Sequence, residues 1–220
     1  MTFDNLSLKC PDYTYDPTHG GVLTVTLPAD QNGLRRRTYD VYTSYDTGNG
    51  LIYRLAQSQT CGLGAAQLSL TTCPAAMTTA VTTTSYGTAS TAPYTYKTLQ
   101  PYQVTLTDGA SSLSQTTTYG YDVIGNVTVI DGPRTDVDDR SYKTYDADRR
   151  VIFEIGVLPG NGPNRTVMRH WYDGDGHETR TEVGYAGNNA TDGSDFVVTA
   201  FTRMTYDAVG RLIKTEKVQP

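Results

Sequence analysis

The stretch Thr205-Tyr206-Asp207-Ala208-Val209-Gly210-Arg211-Leu212-Ile213 decides how this chain folds, because it is written more than once. Toward the N-terminus it recurs as Trp171-Tyr172-Asp173-Gly174-Asp175-Gly176-His177-Glu178 and as Thr144-Tyr145-Asp146-Ala147-Asp148-Arg149-Arg150-Val151. A fourth copy is Tyr121-Asp122-Val123-Ile124-Gly125-Asn126-Val127, and looser ones stand at Tyr15-Asp16, Tyr39-Asp40 and Tyr45-Asp46. From Asp122 to Asp146 is 24 residues, from Asp146 to Asp173 is 27, and from Asp173 to Asp207 is 34. The period drifts while the phrase holds. Self-similarity of this kind marks a repeat architecture in which each unit is one supersecondary element.

Each phrase reads as a β-hairpin. Tyr119-Gly120-Tyr121 and Tyr13-Thr14-Tyr15 alternate ahead of it, which puts both rings on one face of a strand. Asp opens the turn, where its carboxylate accepts a backbone N–H two residues on. Gly125, Gly176 and Gly210 stand where the chain needs a positive φ, as in a four-residue hairpin loop built on a type I turn. The return strands then begin at Val127-Thr128-Val129, Val151-Ile152-Phe153 and Leu212-Ile213. Arg149 replaces the turn glycine in one copy, so that hairpin either uses another loop or holds a strained arginine.

Composition agrees with a β-rich chain. Hydrophobic residues make up only 37% of the 220, with mean hydropathy −0.44, but there are 17 Tyr, whose rings bury well while the hydroxyl keeps a polar partner. About one residue in six is Thr, which favours strands. The 21 Gly and 10 Pro supply turns. A net charge of −5 argues against nucleic acid as a partner, and Arg35-Arg36-Arg37 reads as a solvated strand end. No apolar window is long enough to span a membrane, so no membrane insertion is expected. Met1-Thr2-Phe3-Asp4-Asn5 has neither a basic nor an apolar region, and no signal peptide is expected.

The cysteines are Cys10, Cys61 and Cys73. Cys61 and Cys73 could close a short disulfide loop in an oxidising compartment; the alternative, narrowly preferred, is three free thiols.

The phrase Tyr-Asp-x-x-Gly-Arg/Asn-Leu/Val resembles the signature of the Rhs/YD-repeat family, which takes in bacterial Rhs proteins, toxin-complex shell subunits and teneurin-like shells. The four copies between Thr117 and Pro220 carry the resemblance; residues 1–56 read as degenerate repeats, 57–93 as an unmatched Thr/Ala/Ser-rich segment, and 94–220 as clearer repeats. The unmatched segment is either a long excursion between strands or a set of polar Thr strands. Tyr94-Thr95-Tyr96-Lys97 looks like a repeat that has lost its Asp, with Val104-Thr105-Leu106-Thr107-Asp108-Gly109 as its return strand and turn. The resemblance implies an all-β fold: an antiparallel sheet of successive YD-repeat hairpins, part of a spiralling β-shell or an open repeat sheet. The whole chain is then a single YD-repeat region.

Candidate chemistry is sparse. Asp173-Gly174-Asp175-Gly176-His177-Glu178 alternates acids as a calcium loop does, but lacks the third acidic position and distant Glu of an EF-hand. Asp131, Asp136, Asp138 and Asp139 could hold a cation, though a solvated acidic loop is the simpler reading. His19, His170 and His177 show no metal or triad spacing, and no Ser lies in Gly-x-Ser-x-Gly. Asp16-Pro17 sits in the wrong place for the self-cleavage of some Rhs proteins, which is not carried over. Sequons at Asn5, Asn126, Asn164 and Asn189 matter only in a glycosylating pathway. No catalytic residue, metal site or cofactor is therefore assigned.

The expected role is structural: a non-enzymatic β-repeat segment of an Rhs-type protein, stacking through its edge strands on neighbouring repeats of a longer chain or on copies of itself, at a bacterial cell surface or secreted. A carbohydrate-binding adhesion surface using exposed Tyr and Trp171 is the alternative, and a hydrolase the minor one.

Overall fold

The computed structural model describes residues 10–87, 89–91, 94–96, 100–160 and 162–219, with backbone alone for 89–91 and 94–96. Met1 to Asn5, the Asn5 sequon and Lys97 lie outside the described residues. In chain order the strands are β1 (Asp12–Tyr15), β2 (Val22–Thr26), β3 (Arg35–Asp46), β4 (Leu51–Leu63), β5 (Thr78–Tyr86), β6 (Ala89–Thr91), β7 (Tyr94–Tyr96) and β8 (Pro101–Asp108). They continue as β9 (Ser114–Tyr121), β10 (Val127–Asp131), β11 (Ser141–Tyr145), β12 (Val151–Ile155), β13 (Asn164–Tyr172), β14 (Glu178–Gly187), β15 (Val197–Tyr206) and β16 (Leu212–Val218). The protein is all-β. Fourteen strands pair antiparallel in one open sheet, in chain order once β6 and β7, which pair with each other, are set aside. Two compact units divide the chain: Met1–Gly87 with Pro101–Thr116, and Thr88–Gln100 with Thr117–Pro220.

In the first unit β3 and β4 form a long hairpin from Arg35 opposite Leu63 to Asp46 opposite Leu51, with a register shift between Val41 and Tyr42. The far half of β4 pairs with β5, and β5 pairs with β8. The described part of segment 57–93 holds both alternatives: 64–77 is a long loop between β4 and β5, and Thr78–Tyr86 is a polar strand, with Thr82 and Thr83 in the ladder opposite Leu106 and Thr105. Residues 104–107 do not return along Tyr94–Tyr96; they pair with β5, whose nine residues, largely β-branched, offer a longer partner than the three of β7. Tyr39-Asp40 lies inside β3 and makes no turn.

A small core of Tyr39, Cys61 and Leu63, with Leu68 and Cys73 packed against it, sits under the loop between β4 and β5. Cys61 and Cys73 are disulfide-bonded with Cα atoms 6.0 Å apart, which overturns the narrow preference for free thiols; Cys10 is exposed and takes no part. The pairing follows from the end of β4 and the loop's return bringing both side chains into one core. The arginine run needs correction too. Arg36 is solvated, but Arg35 donates to the Leu27 carbonyl and to Asp12, while Arg37 donates to Thr26 Oγ1 (2.6 Å) and to the Leu68 carbonyl (2.7 Å).

The second unit is a succession of hairpins, β9–β10, β11–β12, β13–β14 and β15–β16, each joined sideways to the next where both strands lie in the unit. Val129, Tyr142, Ile155, Val167, Ala186 and Ala190 form its buried core, and Phe153 and Phe196 pack against it. Ala190 and Phe196 come from the loop between β14 and β15, so this loop closes over the sheet.

Two charged side chains lie in that core, and both are paired, as burial of an ion demands. Arg165, 1% exposed, donates to Asp138 and to the carbonyls of Arg140, Gly156 and Asn188. Glu182, 2% exposed, is held between Arg169 and Arg180. These pairings explain part of the acidic cluster: Asp138 engages Arg140 and Arg165, and Asp136 engages Arg134. Asp138 sits at about 2, below its ordinary 3.8, chiefly because the Arg140 side chain bonds it; burial opposes, and the charge of Arg165 adds.

Candidate functional site

The four Tyr-Asp phrases of the second unit fold into one repeated turn. In each, the Asp N–H donates to the carbonyl four residues on, at 2.9, 3.0, 3.0 and 2.9 Å for Asp122, Asp146, Asp173 and Asp207. The N–H of the glycine position donates back to the Asp carbonyl, at 3.1 Å for both Gly125 and Arg149, 3.2 Å for Gly176 and 3.0 Å for Gly210. Three residues remain in the loop, one fewer than the sequence pattern implies, with the last at positive φ, as in a β-turn closed by a bulge. A second bulge lies further along each hairpin: the register shifts immediately before Tyr145, Tyr172 and Tyr206, leaving Ile152, Thr179 and Ile213 as the extra residue of the return strand.

The carboxylate organises the rest. Oδ1 accepts the N–H two residues on and the N–H four residues on; for Asp122 these are Ile124 (3.0 Å) and Asn126 (2.8 Å). Asp146, Asp173 and Asp207 repeat both bonds. Oδ2 is left for the side chain after the glycine position: Asn126 Nδ2 at 2.7 Å, Arg150 Nε at 2.7 Å, His177 Nδ1 at 3.2 Å and Arg211 Nε at 2.7 Å. Burial works against ionisation of Asp122, Asp146 and Asp173, but these donors outweigh it and hold each carboxyl below the ordinary range. For Asp207 the Arg211 N–H leads, followed by the Arg211 side chain. Asp173 therefore spends its carboxylate on the turn, as the repeat reading requires and a calcium loop does not. Among the described residues no group of three or more His, Cys, Asp or Glu could hold a metal ion.

The glycines satisfy two demands. Gly125, Gly176 and Gly210 have φ of 93°, 89° and 80°, where a side chain is strained. A Cβ on Gly210 would also meet His177 Nε2 at 2.8 Å, and one on Gly125 would meet Gln100 Nε2 at 2.7 Å. Arg149 keeps the same turn at φ 66° and takes the strain. Its Nε donates to Asn126 Oδ1 at 2.8 Å, so the exception is tied to the preceding turn.

Successive hairpins are clasped by the tyrosines. Tyr145, Tyr172 and Tyr206 donate their hydroxyls to the carbonyls of Val127 (2.7 Å), Val151 (2.9 Å) and Glu178 (2.9 Å), each the first residue of the preceding return strand. The rings lie on the residue before it: the Arg150 guanidinium is 4.8 Å from the Tyr172 ring centre, and His177 stacks on Tyr206 at 4.6 Å. Tyr121 is buried. Arg211, at the end of the series, is 78% exposed at its side chain.

No family model matches the chain, and no curated protein does.

Solved structures similar to it include those described as TcdB2-TccC3-TEV (15% identity, TM-score 0.39) and TcdB2-TccC3-Cdc42 (17% identity, TM-score 0.41). They cover 88% and 89% of this chain, which spans 12% of either matched chain. TcdB2-TccC3 without its hypervariable C-terminal region matches at 10% identity and TM-score 0.22, over 94% of this chain and 14% of that one. At these values the likeness assigns neither family nor role.

The sequence pattern singled out the Tyr, Asp and Gly positions and an Arg or Asn after the glycine, with Arg211 among the repeat residues, but it did not foresee that this side chain, Asn126, Arg150, His177 or Arg211, bonds the Asp carboxylate. It also missed a turn without a tyrosine. Asp30-Gln31-Asn32-Gly33-Leu34 has the same backbone bonds and the same two N–H groups on Asp30 Oδ1. The degenerate copy at Asp16 is one residue longer, closing onto Gly20 and Gly21. No helix among the described residues is long and apolar enough to cross a membrane.

Proposed function

We propose that this chain is a structural β-repeat segment of an Rhs-type assembly, acting without catalysis and joined to further Tyr-Asp repeats through its edge strands. One observation carries the reading: the clasp of tyrosine on preceding turn repeats at Tyr145, Tyr172 and Tyr206, while the same place on Arg211 and Leu212 is open among the described residues. β16 is correspondingly exposed, with Leu212 at 53% and Ile213 at 62%. An unpaired edge of this kind is a template for another strand. A role at a cell surface or in a secreted particle goes with the reading, and the Cys61–Cys73 bond fits an oxidising compartment.

The test is to extend the chain beyond Val218 with a copy of residues 141–155 and follow amide exchange in β16. Added protection over Leu212–Val218, removed when the appended copy of Tyr145 is replaced by Ala, is the expected result. Unchanged exchange sinks the reading.

A carbohydrate-binding surface is the second reading, and Trp171 favours it. The residue is 47% exposed and lines an open pocket of about 390 Å³ with Thr179, Arg180, Arg203 and Met204. Glycan binding that Trp171→Ala abolishes without unfolding would support it; a blank glycan array would end it.

A further inference from the structure

The open clasp on β16 has a counterpart at the other end of the strand order. Among the described residues β1 is the first strand and pairs only with β2, and it ends in Tyr15 followed by Asp16, just as β11, β13 and β15 end in a tyrosine followed by Asp. Tyr13 and Tyr15 are 51% and 58% exposed, their rings 6.4 Å apart and nearly parallel. Nothing in the described residues uses either ring as Tyr172 and Tyr206 are used.

We propose that copies of this chain join head to tail, with β1 of one copy pairing antiparallel to β16 of another and Tyr15 seated on Arg211. The inference rests on the structural reading above and names its partner as a second copy. Its geometry comes from the joints already present. Continuing the registers of β10 with β11, β12 with β13 and β14 with β15 places Tyr145 opposite Asn126, Tyr172 opposite Arg150 and Tyr206 opposite His177. In two of these joints the ring meets the residue after the glycine position, Tyr172 on Arg150 and Tyr206 on His177. The same register puts Tyr15 of the second copy opposite Arg211, Tyr13 opposite Ile213 and Asp12 opposite Lys214. The first is a cation over an aromatic ring, the second two exposed apolar groups, and the third a pair of opposite charges.

In this seat the Tyr15 hydroxyl takes the Leu212 carbonyl, as Tyr172 takes that of Val151. The two surfaces differ, so the contact is heterologous and propagates into open chains or closes as a ring.

Light scattering over a concentration series tests the proposal. The wild-type mass should rise with concentration above the 24.0 kDa of one chain. Tyr15→Ala and Arg211→Glu should each abolish the rise. An equimolar mixture of the two variants retains one intact pair of ends, so it should give a species of twice the single-chain mass and nothing larger. That complementation also reports that both variants are folded at their intact edges.

A wild type that stays at one chain mass throughout, variants that associate as wild type does, or a mixture with no dimer would each overturn the proposal. The extended chain described above separates this failure from that of the structural reading. Protection of β16 by an appended repeat with no self-association would leave the reading standing and remove the second copy as partner.

Discussion

The hydroxyl of Tyr172 donates to the carbonyl of Val151 over 2.9 Å while its ring lies under the guanidinium of Arg150. One side chain thereby ties two hairpins whose Tyr-Asp turns are a full repeat apart. Tyr172→Phe keeps the ring and loses one hydrogen bond, so the expected cost is about 1 kcal/mol. Tyr172→Ala also removes the buried ring surface and should cost about 3 kcal/mol or more. Urea unfolding of the two variants checks the order; equal losses would mean the ring contact contributes nothing.

Arg149 offers a test of strain against bonding. Arg149→Gly relieves a left-handed arginine, a gain of about 1 kcal/mol, but leaves the buried Asn126 Oδ1 without its donor, a loss of similar size. Arg149→Ala loses the donor and keeps the strain. The glycine variant is expected to be near neutral and about 1 kcal/mol more stable than the alanine variant, as read from chemical denaturation. Equal stability of the two would remove strain from the account.

The Cys61–Cys73 bond closes a loop with a sequence separation of 12. Replacing both cysteines by Ala should destabilise by about 2–4 kcal/mol on loop-closure grounds. Thermal melts of wild type with and without reductant should show the same loss, and amide exchange should locate it around Tyr39, Leu63 and Leu68. A melt indifferent to reductant would contradict the bond's structural weight.

Acid should unfold the second unit for a reason that can be assigned. The folded carboxyls of Asp122, Asp146, Asp173 and Asp207 are depressed, and that of Asp138 to about 2. A depressed carboxyl contributes stability that is complete above its unfolded value and is lost as pH falls toward the folded one. The loss should therefore fall between about pH 4 and pH 2. Asp138→Asn leaves the buried Arg165 without its carboxylate and should cost about 3 kcal/mol at neutral pH. A circular-dichroism titration on both chains checks the two statements; stability in wild type that does not change down to pH 2 would refute the first.

Much of the second unit was legible in the chain itself. Tyr, Asp and Gly at fixed offsets specify a strand end, a carboxylate that accepts local N–H groups, and a residue free to take positive φ. All three are local properties, so repetition of the phrase determined hairpins at residues 121–127, 145–151, 172–178 and 206–212 before any long-range contact was known.

What only the tertiary structure decided is whatever depends on partners distant in the chain. The pairing of β8 with β5, the cysteine bond, the burial of Arg165 and Glu182, and the loop that closes over Phe153 all join residues with no common local pattern. The tyrosine clasp lies between the two cases. Its residues are written in the repeat, but the carbonyl each hydroxyl reaches is set by the sideways register of neighbouring hairpins, and that register is fixed by packing across the sheet.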